Sequence, residues 1–208
     1  MISLLLAGGP FMFATLAASI LIIGIFIWRV FYFWGGGGVG SRSFLNQVVG
    51  LIEAQNITSA IRACSEARGP LANILKSALM RANRSEREIR RAVESAALEE
   101  IPKVKGGTVF LPQMSNLATL LGLIGTIHGL IISFEGAAAG DAATRQAVMS
   151  QGIAIAFYNT FFGLTVATIG VVLYLLLLGK MNATLAFIEE SASSVIDTVL
   201  WHRERHDE

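Results

Sequence analysis

The sequence is poor in cysteine and in charge. Cys64 is the only cysteine, which excludes an internal disulfide framework, and we expect this residue simply to pack between helices. Only 15% of the 208 residues are charged, whereas 53% are hydrophobic, a balance far from that of water-soluble proteins. The three histidines have no cysteine or carboxylate set at ligand spacing near them, so no metal or cofactor site is predicted. The composition indicates an integral membrane protein.

Carboxylates are absent from three long apolar runs, at residues 11–34, 117–134 and 146–179. Each run is long enough to cross a hydrocarbon core of about 30 Å. The third run is longer than that core requires, so we expect its helix to continue into the amphipathic tail that follows. An all-α fold with three transmembrane helices is therefore predicted. A nucleophile, a metal set or paired carboxylates near a span are also lacking, which argues against an enzyme.

Small residues recur on the second and third runs. One side of the second run carries three residues without a side chain: Gly122, Gly125 and Gly129. The four-residue spacing of the last two lets helix backbones approach closely. Gly163 and Gly170 belong to a similar stripe on the third run. We predict that these five glycines are helix-packing residues.

Polar side chains also lie at depth in these two runs. Hydroxyl and amide oxygens can coordinate a cation or hold water, which makes these residues candidates for an ion pathway. For each threonine the alternative is a hydrogen bond to its own backbone one turn back, with no role in transport. The single ionisable group at depth is a histidine, which is either a relay group or a hydrogen-bonded interface residue. The candidates are Thr126, Thr160, Asn159, Ser133 and His128.

The segment between the first two runs has the composition of a soluble helical domain. Gly69-Pro70 is predicted to separate two helices, and Ser85 with Glu88 forms a capping-box pattern at the start of another. The glycine run at 35–38 is predicted to be a flexible connector. Five arginines between residues 81 and 91 are interpreted as a solvated surface paired with nearby glutamates. Contact with anionic lipid headgroups or with a neighbouring subunit's acidic tail is the alternative.

The distribution of basic residues predicts the topology. Eleven of the sixteen Lys and Arg residues lie between residues 35 and 110. By the positive-inside tendency, the N-terminus is outside, while the helical segment and the C-terminus are cytoplasmic. Trp28, Tyr32 and Trp34 are expected to form an interfacial belt at the end of the first span, where Arg29 can snorkel to the headgroups.

Two segments resemble motifs of the ExbB/TolQ/MotA ion-channel family. LLGLIGTIHGLIISF is similar to its second-span motif, and QGIAIAFYNTFFGLTVAT is similar to its third-span motif. Three spans with a large cytoplasmic insertion fit the ExbB/TolQ branch, because MotA-like members have four spans. The predicted division is 1–34, periplasmic leader and first transmembrane helix; 35–110, cytoplasmic helical domain; 111–134, second transmembrane helix; 135–150, short periplasmic loop; 151–179, third transmembrane helix; 180–208, cytoplasmic C-terminal helix.

The resemblance implies a homo-oligomeric ring of five subunits in the bacterial inner membrane. Such a ring surrounds a single-pass partner similar to ExbD or TolR, whose intramembrane aspartate binds the ion and faces two ring threonines, here Thr126 and Thr160. Ion motive force would then drive work on the periplasm or outer membrane, through a TonB/TolA-like energy transducer. No nucleic acid partner is expected. The alternative is a non-conducting membrane scaffold that assembles a partner complex.

Two departures from the family pattern bear on the ion. Ile155 stands where many proton-using relatives carry a glutamate, and His128 stands where they carry a tryptophan. A lining of hydroxyl and amide groups without that acid would also suit sodium. We favour protons, with sodium as the alternative.

Overall fold

The computed structural model describes residues 8–34, 41–137 and 141–207, with the backbone alone at 203–207. The connector predicted at residues 35–38 lies outside the described residues. The described part of the chain forms helices and turns and contains no strand, which confirms the all-α prediction. The α-helices are α1, Pro10–Trp34; α2, Arg42–Glu53; α3, Ile57–Glu66; α4, Pro70–Leu79; α5, Glu86–Lys105; α6, Phe110–Ala137; and α7, Ala142–Asp207, with a 3-10 turn at Gly106–Val109 between α5 and α6.

Three of these helices are long and apolar enough to cross a membrane: α1, α6 and α7. The prediction of three spans is therefore confirmed. Helix α7 has 66 residues and, at about 1.5 Å per residue, a length of about 100 Å. Its apolar first half and its amphipathic tail form one uninterrupted helix, as expected from the length of the third apolar run.

Residues with known boundary preferences mark where the shorter helices begin and end. Pro70 occupies the first turn of α4 after Gly69, whose φ of 138° is accessible to glycine and strained for other residues. The Ser85 backbone N–H donates to Glu88 Oε2 over 3.3 Å, and the capping box at the start of α5 is formed. Both predictions about these boundaries are confirmed.

The segment between α6 and α7 is more helical than predicted. A loop was expected at 135–150, whereas α6 extends to Ala137 and α7 begins at Ala142. Asp141 precedes α7 and accepts hydrogen bonds from the side chain and backbone of Thr144, which hold the pKa of its carboxyl below the ordinary value. This capping interaction and the alanines beside it, which favour helix, explain the early start.

The chain divides into two compact units, and both α1 and α7 contribute residues to each. The first, here called the span unit, comprises Met1–Trp28 and Gly107–Leu177. The second, here called the helical unit, comprises Arg29–Gly106 and Leu178–Glu208. The span unit holds all the candidate pathway residues.

Large aliphatic side chains form the interior of the helical unit. Leu71, Ile74 and Leu75 of α4 are fully buried, together with Ile89 of α5. Cys64 of α3 is also buried, and burial raises the pKa of its thiol to about 11. The residue is a packed apolar side chain with little thiolate character.

The prediction that Arg29 snorkels to the headgroups is wrong. Its side chain is 1% exposed, and its guanidinium donates to the carbonyl oxygen of Val104. The guanidinium also lies over the rings of Tyr32 and Phe33, 4.6 Å from each centroid. The last carbonyls of a helix lack intrahelical donors and carry a partial negative charge. Arg29 therefore stabilises the C-terminal end of α5.

The arginine-rich surface is paired in part with acidic side chains, as one of the two interpretations predicted. Arg90 Nε lies 2.7 Å from Glu86 Oε1, one turn earlier on α5. Its Nη2 lies 3.8 Å from Asp197 Oδ1 on α7. Both carboxylates and the guanidinium are about half exposed or more, so each pair contributes little to stability.

Candidate functional site

Helices α6 and α7 of the span unit pack antiparallel, with backbone against backbone. A Cβ placed on Gly122 would lie 2.9 Å from the Asn159 carbonyl oxygen and 3.1 Å from Gly163 Cα. One placed on Gly163 would lie 2.8 Å from Gly122 Cα. These separations are too short for a side chain, so the two helices can approach this closely only because both positions are glycine.

The same close contact continues towards the end where α6 meets the start of α7. A Cβ on Gly129 would lie 2.5 Å from the Ala156 nitrogen, and one on Gly152 would lie 2.7 Å from the Gly129 carbonyl oxygen. Gly125 faces the side chain of Asn159. Gly170 lies further along α7 and faces side chains instead: a Cβ there would lie 3.3 Å from Ile22 Cδ1 of α1. Glycines thus bring α6 and α7 together along several turns.

The hydroxyls of Thr126 and Thr160 are in direct contact across this interface. Each also has a backbone acceptor. Thr126 Oγ1 lies 3.0 Å from the Gly122 carbonyl oxygen, and Thr160 Oγ1 lies 3.2 Å from the Ala156 carbonyl oxygen. A hydroxyl carries one proton and two lone pairs, so one threonine donates to the other, and the second donates to its own backbone carbonyl. Both oxygens then keep at least one lone pair that can accept from a further group. Both side chains are half-buried.

Ser133 lies two turns beyond Thr126 and serves a different contact. Its hydroxyl donates to the Met149 carbonyl oxygen over 3.0 Å, and the residue is 4% exposed. Met149 is in the third turn of α7, where the chain has just reversed direction. The hydrogen bond joins the last part of α6 to the first part of α7. Ser133 is not brought into contact with the threonine pair.

Asn159 is next to Thr160 in sequence, but its side chain points elsewhere. The side-chain Nδ2 donates to the Gly8 carbonyl oxygen over 2.7 Å and to the Ile155 carbonyl oxygen over 2.9 Å. The residue is 1% exposed. Its Oδ1 is buried and has no hydrogen-bond partner within the described residues. Asn159 thus ties α7 to the segment that precedes α1.

His128 lies on α6 and faces the start of α1. Its ring centroid is 5.3 Å from that of Phe11, with the two planes inclined by 59°. The Nδ1 atom is buried and lacks a hydrogen-bond partner in the described part of the chain. His128 contacts Phe11 and Asn159 contacts Gly8, so both side chains face the segment at the start of α1, here called the polar neighbourhood at the start of α1. Neither of these contacts involves the two threonines.

Apolar side chains cover the outer surface of the span unit. Phe134 and Phe161 are each 73% exposed, and Phe157 is 70% exposed. Large exposed apolar surfaces mark contact with lipid or with other proteins. The surface, like the three spans, is that of a membrane protein.

Several contributors to the site have weak sequence signals or none. Gly152 does have a signal, because it belongs to the small-residue stripe of the third run, whose three- and four-residue steps predict close packing. Phe11 and the Gly8 carbonyl had no such signal, because each meets a residue more than a hundred positions away in sequence. A backbone carbonyl carries no sequence information about its partner.

Comparison with known proteins identifies the family. The model of the MotA/TolQ/ExbB proton channel family matches residues 66–190, a stretch that includes α6 and the apolar part of α7. The chain belongs to this family. The resemblance predicted from the two span motifs is thereby confirmed, and ion-channel energy transduction of the ExbB/TolQ type is the function that membership supports.

Individual relatives from several organisms support the same family assignment. The chain is 31% identical to a putative biopolymer transport protein ExbB-like 3 from Synechocystis over 163 residues, which cover 78% of this chain and 77% of the relative. It is 28% identical over 153 residues to a putative biopolymer transport protein ExbB homolog from Methanothermobacter thermautotrophicus, covering 72% of this chain and 54% of the relative. The chain is 32% identical over 116 residues to a Tol-Pal system protein TolQ from Haemophilus influenzae, covering 55% of this chain and 49% of the relative.

Proposed function

We propose that this chain is the ring subunit of an inner-membrane motor driven by protons. The ring would surround a single-pass ExbD/TolR-like partner and convert ion motive force into mechanical work on the periplasm or outer membrane, with a TonB/TolA-like transducer as a further partner. The observation that supports this most directly is the contact of the Thr126 and Thr160 hydroxyls, formed by two facing spans of a proton-channel family member.

In this proposal, the carboxylate that binds the ion comes from the partner. Residues 11–34, 117–134 and 146–179 contain no Asp or Glu, and a proton relay inside a membrane needs groups that titrate. A partner helix carrying an aspartate would supply that group. The threonine oxygens would then coordinate the ion, or accept hydrogen bonds from its water, as the ion reaches the carboxylate.

The exposed apolar surface favours a homo-oligomer, for which we propose five subunits. Phe157 and Phe161 lie one turn apart on α7 and are at least 70% exposed. Neighbouring copies, the partner helix and lipid would share this surface. The same proposal places the N-terminus in the periplasm and residues 35–110 in the cytoplasm.

A non-conducting scaffold is the second candidate, and a specific observation favours it. Both threonine hydroxyls lie within hydrogen-bonding distance of a carbonyl one turn back, which is the usual state of a threonine that only packs. A scaffold would need the two side chains for their shape and not for their oxygen atoms. It would therefore tolerate replacement by valine.

Ion flux in liposomes distinguishes the two candidates. The chain is reconstituted with and without its single-pass partner, first under a pH gradient and then under a sodium gradient. Flux that requires the partner and is lost in Thr160→Val supports the motor, and the gradient that drives it identifies the ion. Thr160→Ser keeps the hydroxyl and should retain most of the flux.

Thr165→Val is the matched control. Thr165 lies on the same helix, is exposed, and donates to the Phe161 carbonyl oxygen over 2.7 Å. Its replacement removes a hydroxyl from α7 without touching the contact with Thr126. If Thr160→Val and Thr165→Val conduct equally well in a complex that conducts, the threonine pathway is wrong. A stable complex that conducts neither ion would favour the scaffold.

A further inference from the structure

The polar neighbourhood at the start of α1 contains two buried atoms that the proposed ion pathway does not use. Asn159 Oδ1 and His128 Nδ1 are both buried and without a hydrogen-bond partner in the described residues. Leaving such an atom unsatisfied is unfavourable, because the hydrogen bonds it makes to water in the unfolded chain are lost and not replaced. Two of them in one small region indicate a ligand that bonds to both.

Two independent links connect the side chains of Asn159 and His128. On α6, a Cβ placed on Gly125 would lie 2.6 Å from Asn159 Oδ1, and Gly125 is one turn before His128. Side chains on a helix lean towards its N-terminus, so the His128 ring lies over the turn that contains Gly125. The second link is the segment before α1, where Gly8 accepts from Asn159 Nδ2 and Phe11, three residues later, contacts the His128 ring.

The donors and acceptors of the site match a water molecule. Asn159 Oδ1 accepts a hydrogen bond, and His128 Nδ1 donates or accepts according to its tautomer. The Gly8 carbonyl oxygen has one lone pair left after accepting from Asn159 Nδ2. Three partners is the usual number for a buried water. A bare cation is disfavoured, because a buried charge needs a compensating charge and residues 8–28 and 107–134 contain no carboxylate.

We propose that His128, Asn159 and the Gly8 carbonyl form a buried site for one bound water molecule between the start of α1 and the α6–α7 interface. The water completes the hydrogen bonds of both side chains and holds the segment before α1 against the two glycine-packed helices. The site is separate from the Thr126–Thr160 contact, so it does not depend on whether the chain conducts ions.

Magnetic resonance of the histidine ring tests the proposal directly. The full-length chain, labelled with 15N-histidine, is placed in phospholipid bilayers, and magnetisation transfer from water to each ring nitrogen is recorded. His128→Phe assigns the signal, because His202 and His206 remain in that variant. We expect a cross-peak between His128 Nδ1 and a slowly exchanging water, and its loss in Asn159→Leu. Ser191→Ala, which removes a buried hydroxyl from the helical unit, should leave the cross-peak unchanged.

Each other outcome would overturn the proposal. A wild-type His128 ring without water contact shows that the site is dry or that the two side chains bond directly. A cross-peak that persists in Asn159→Leu shows that His128 contacts water elsewhere. Should Asn159→Leu fail to fold, Asn159→Ser replaces it: the shorter side chain moves the acceptor oxygen away from the water with a smaller change in shape. The wild-type spectrum alone still decides whether water contacts the ring.

Discussion

The two units of this chain are packed by different means. In the span unit, α6 and α7 meet through glycines whose backbone atoms touch, such as Gly122 and Gly163, while large residues such as Phe161 lie on the outside. In the helical unit the arrangement is reversed. Leu71 and Leu75 are fully buried, and charged pairs such as Arg62 with Glu66 lie on the surface.

The difference follows from the solvent that each surface is built to meet. In water, burial of apolar area stabilises a fold by about 25 cal/mol per Å², so large aliphatic side chains belong inside. In lipid the surroundings are as apolar as leucine, and helices associate through close packing and hydrogen bonds. The contrast predicts which kind of substitution each unit tolerates.

Truncation of a buried aliphatic side chain in the helical unit should have the largest effect, and truncation of a lipid-facing one in the span unit should have little. Leu75 is fully buried, whereas Leu176 in the span unit is 61% exposed. We expect Leu75→Ala to lower the free energy of unfolding by about 2–5 kcal/mol and Leu176→Ala to change it by less than about 0.5 kcal/mol. Denaturant titrations followed by circular dichroism measure both variants. Equal losses would contradict the contrast between the two units.

The reactivity of Cys64 reports on the same interior. Burial raises the pKa of its thiol from 9.0 to about 11, and because the thiolate is the reactive form, the native thiolate fraction near pH 8 falls about a hundredfold, since each pKa unit is a factor of ten. We expect alkylation by iodoacetamide to be at least that much slower in the folded chain than in denaturant. Comparable rates in the two states would show that α3 is not packed as described.

Enlargement of a small residue should be harmful in the span unit. A Cβ at Gly163 would meet backbone atoms of α6 within 3 Å, whereas one at Gly179, on the same helix in the helical unit, would meet nothing within 4 Å. We expect Gly163→Ala to destabilise the chain by about 1–3 kcal/mol. Gly179→Ala should be neutral or stabilising by up to about 1 kcal/mol, because alanine favours helix. Thermal unfolding in the same detergent compares the pair, and the prediction fails if both variants melt together.

Much of the fold could be predicted from the sequence, because periodic patterns report on helices. Apolar runs without carboxylates predicted the three spans. The spacing of Gly122, Gly125 and Gly129 predicted a packing face, and in the structure these glycines face α7. The stretch from 135 to 150 was harder. Glu135, Asp141 and Arg145 interrupt the apolar runs there, which is typical of a loop between two spans, and the capping by Asp141 that begins α7 early depends on local hydrogen bonds.

The candidate site could be predicted only in part. Thr126 and Thr160 were singled out by family motifs, and the structure brings their hydroxyls together. Arg29 was misjudged because hydropathy does not reveal which backbone carbonyl lies beside it: Val104 is 75 positions away. The Gly8 carbonyl, which is 151 positions from Asn159, could not be predicted as its partner for the same reason.

The smallest expected effect lies at the polar edge of the span unit, where Asp141 precedes α7. Hydrogen bonds from the side chain and backbone of Thr144 hold the pKa of the Asp141 carboxyl below its ordinary value. A carboxylate whose pKa is lowered on folding stabilises the fold above the unfolded pKa of about 3.9, and this contribution is lost as pH falls through the folded pKa.

We expect melting temperatures between pH 6 and pH 3 to decline slightly less in Asp141→Asn than in the wild type. Ser41 provides the control, because its side-chain oxygen caps the start of α2 by accepting from the backbone N–H groups of Ser43 and Phe44 and it has no carboxylate. Ser41→Ala should change the melting temperature by the same amount at each pH. Parallel curves for Asp141→Asn and the wild type would show that the charge of Asp141 does not contribute to the start of α7.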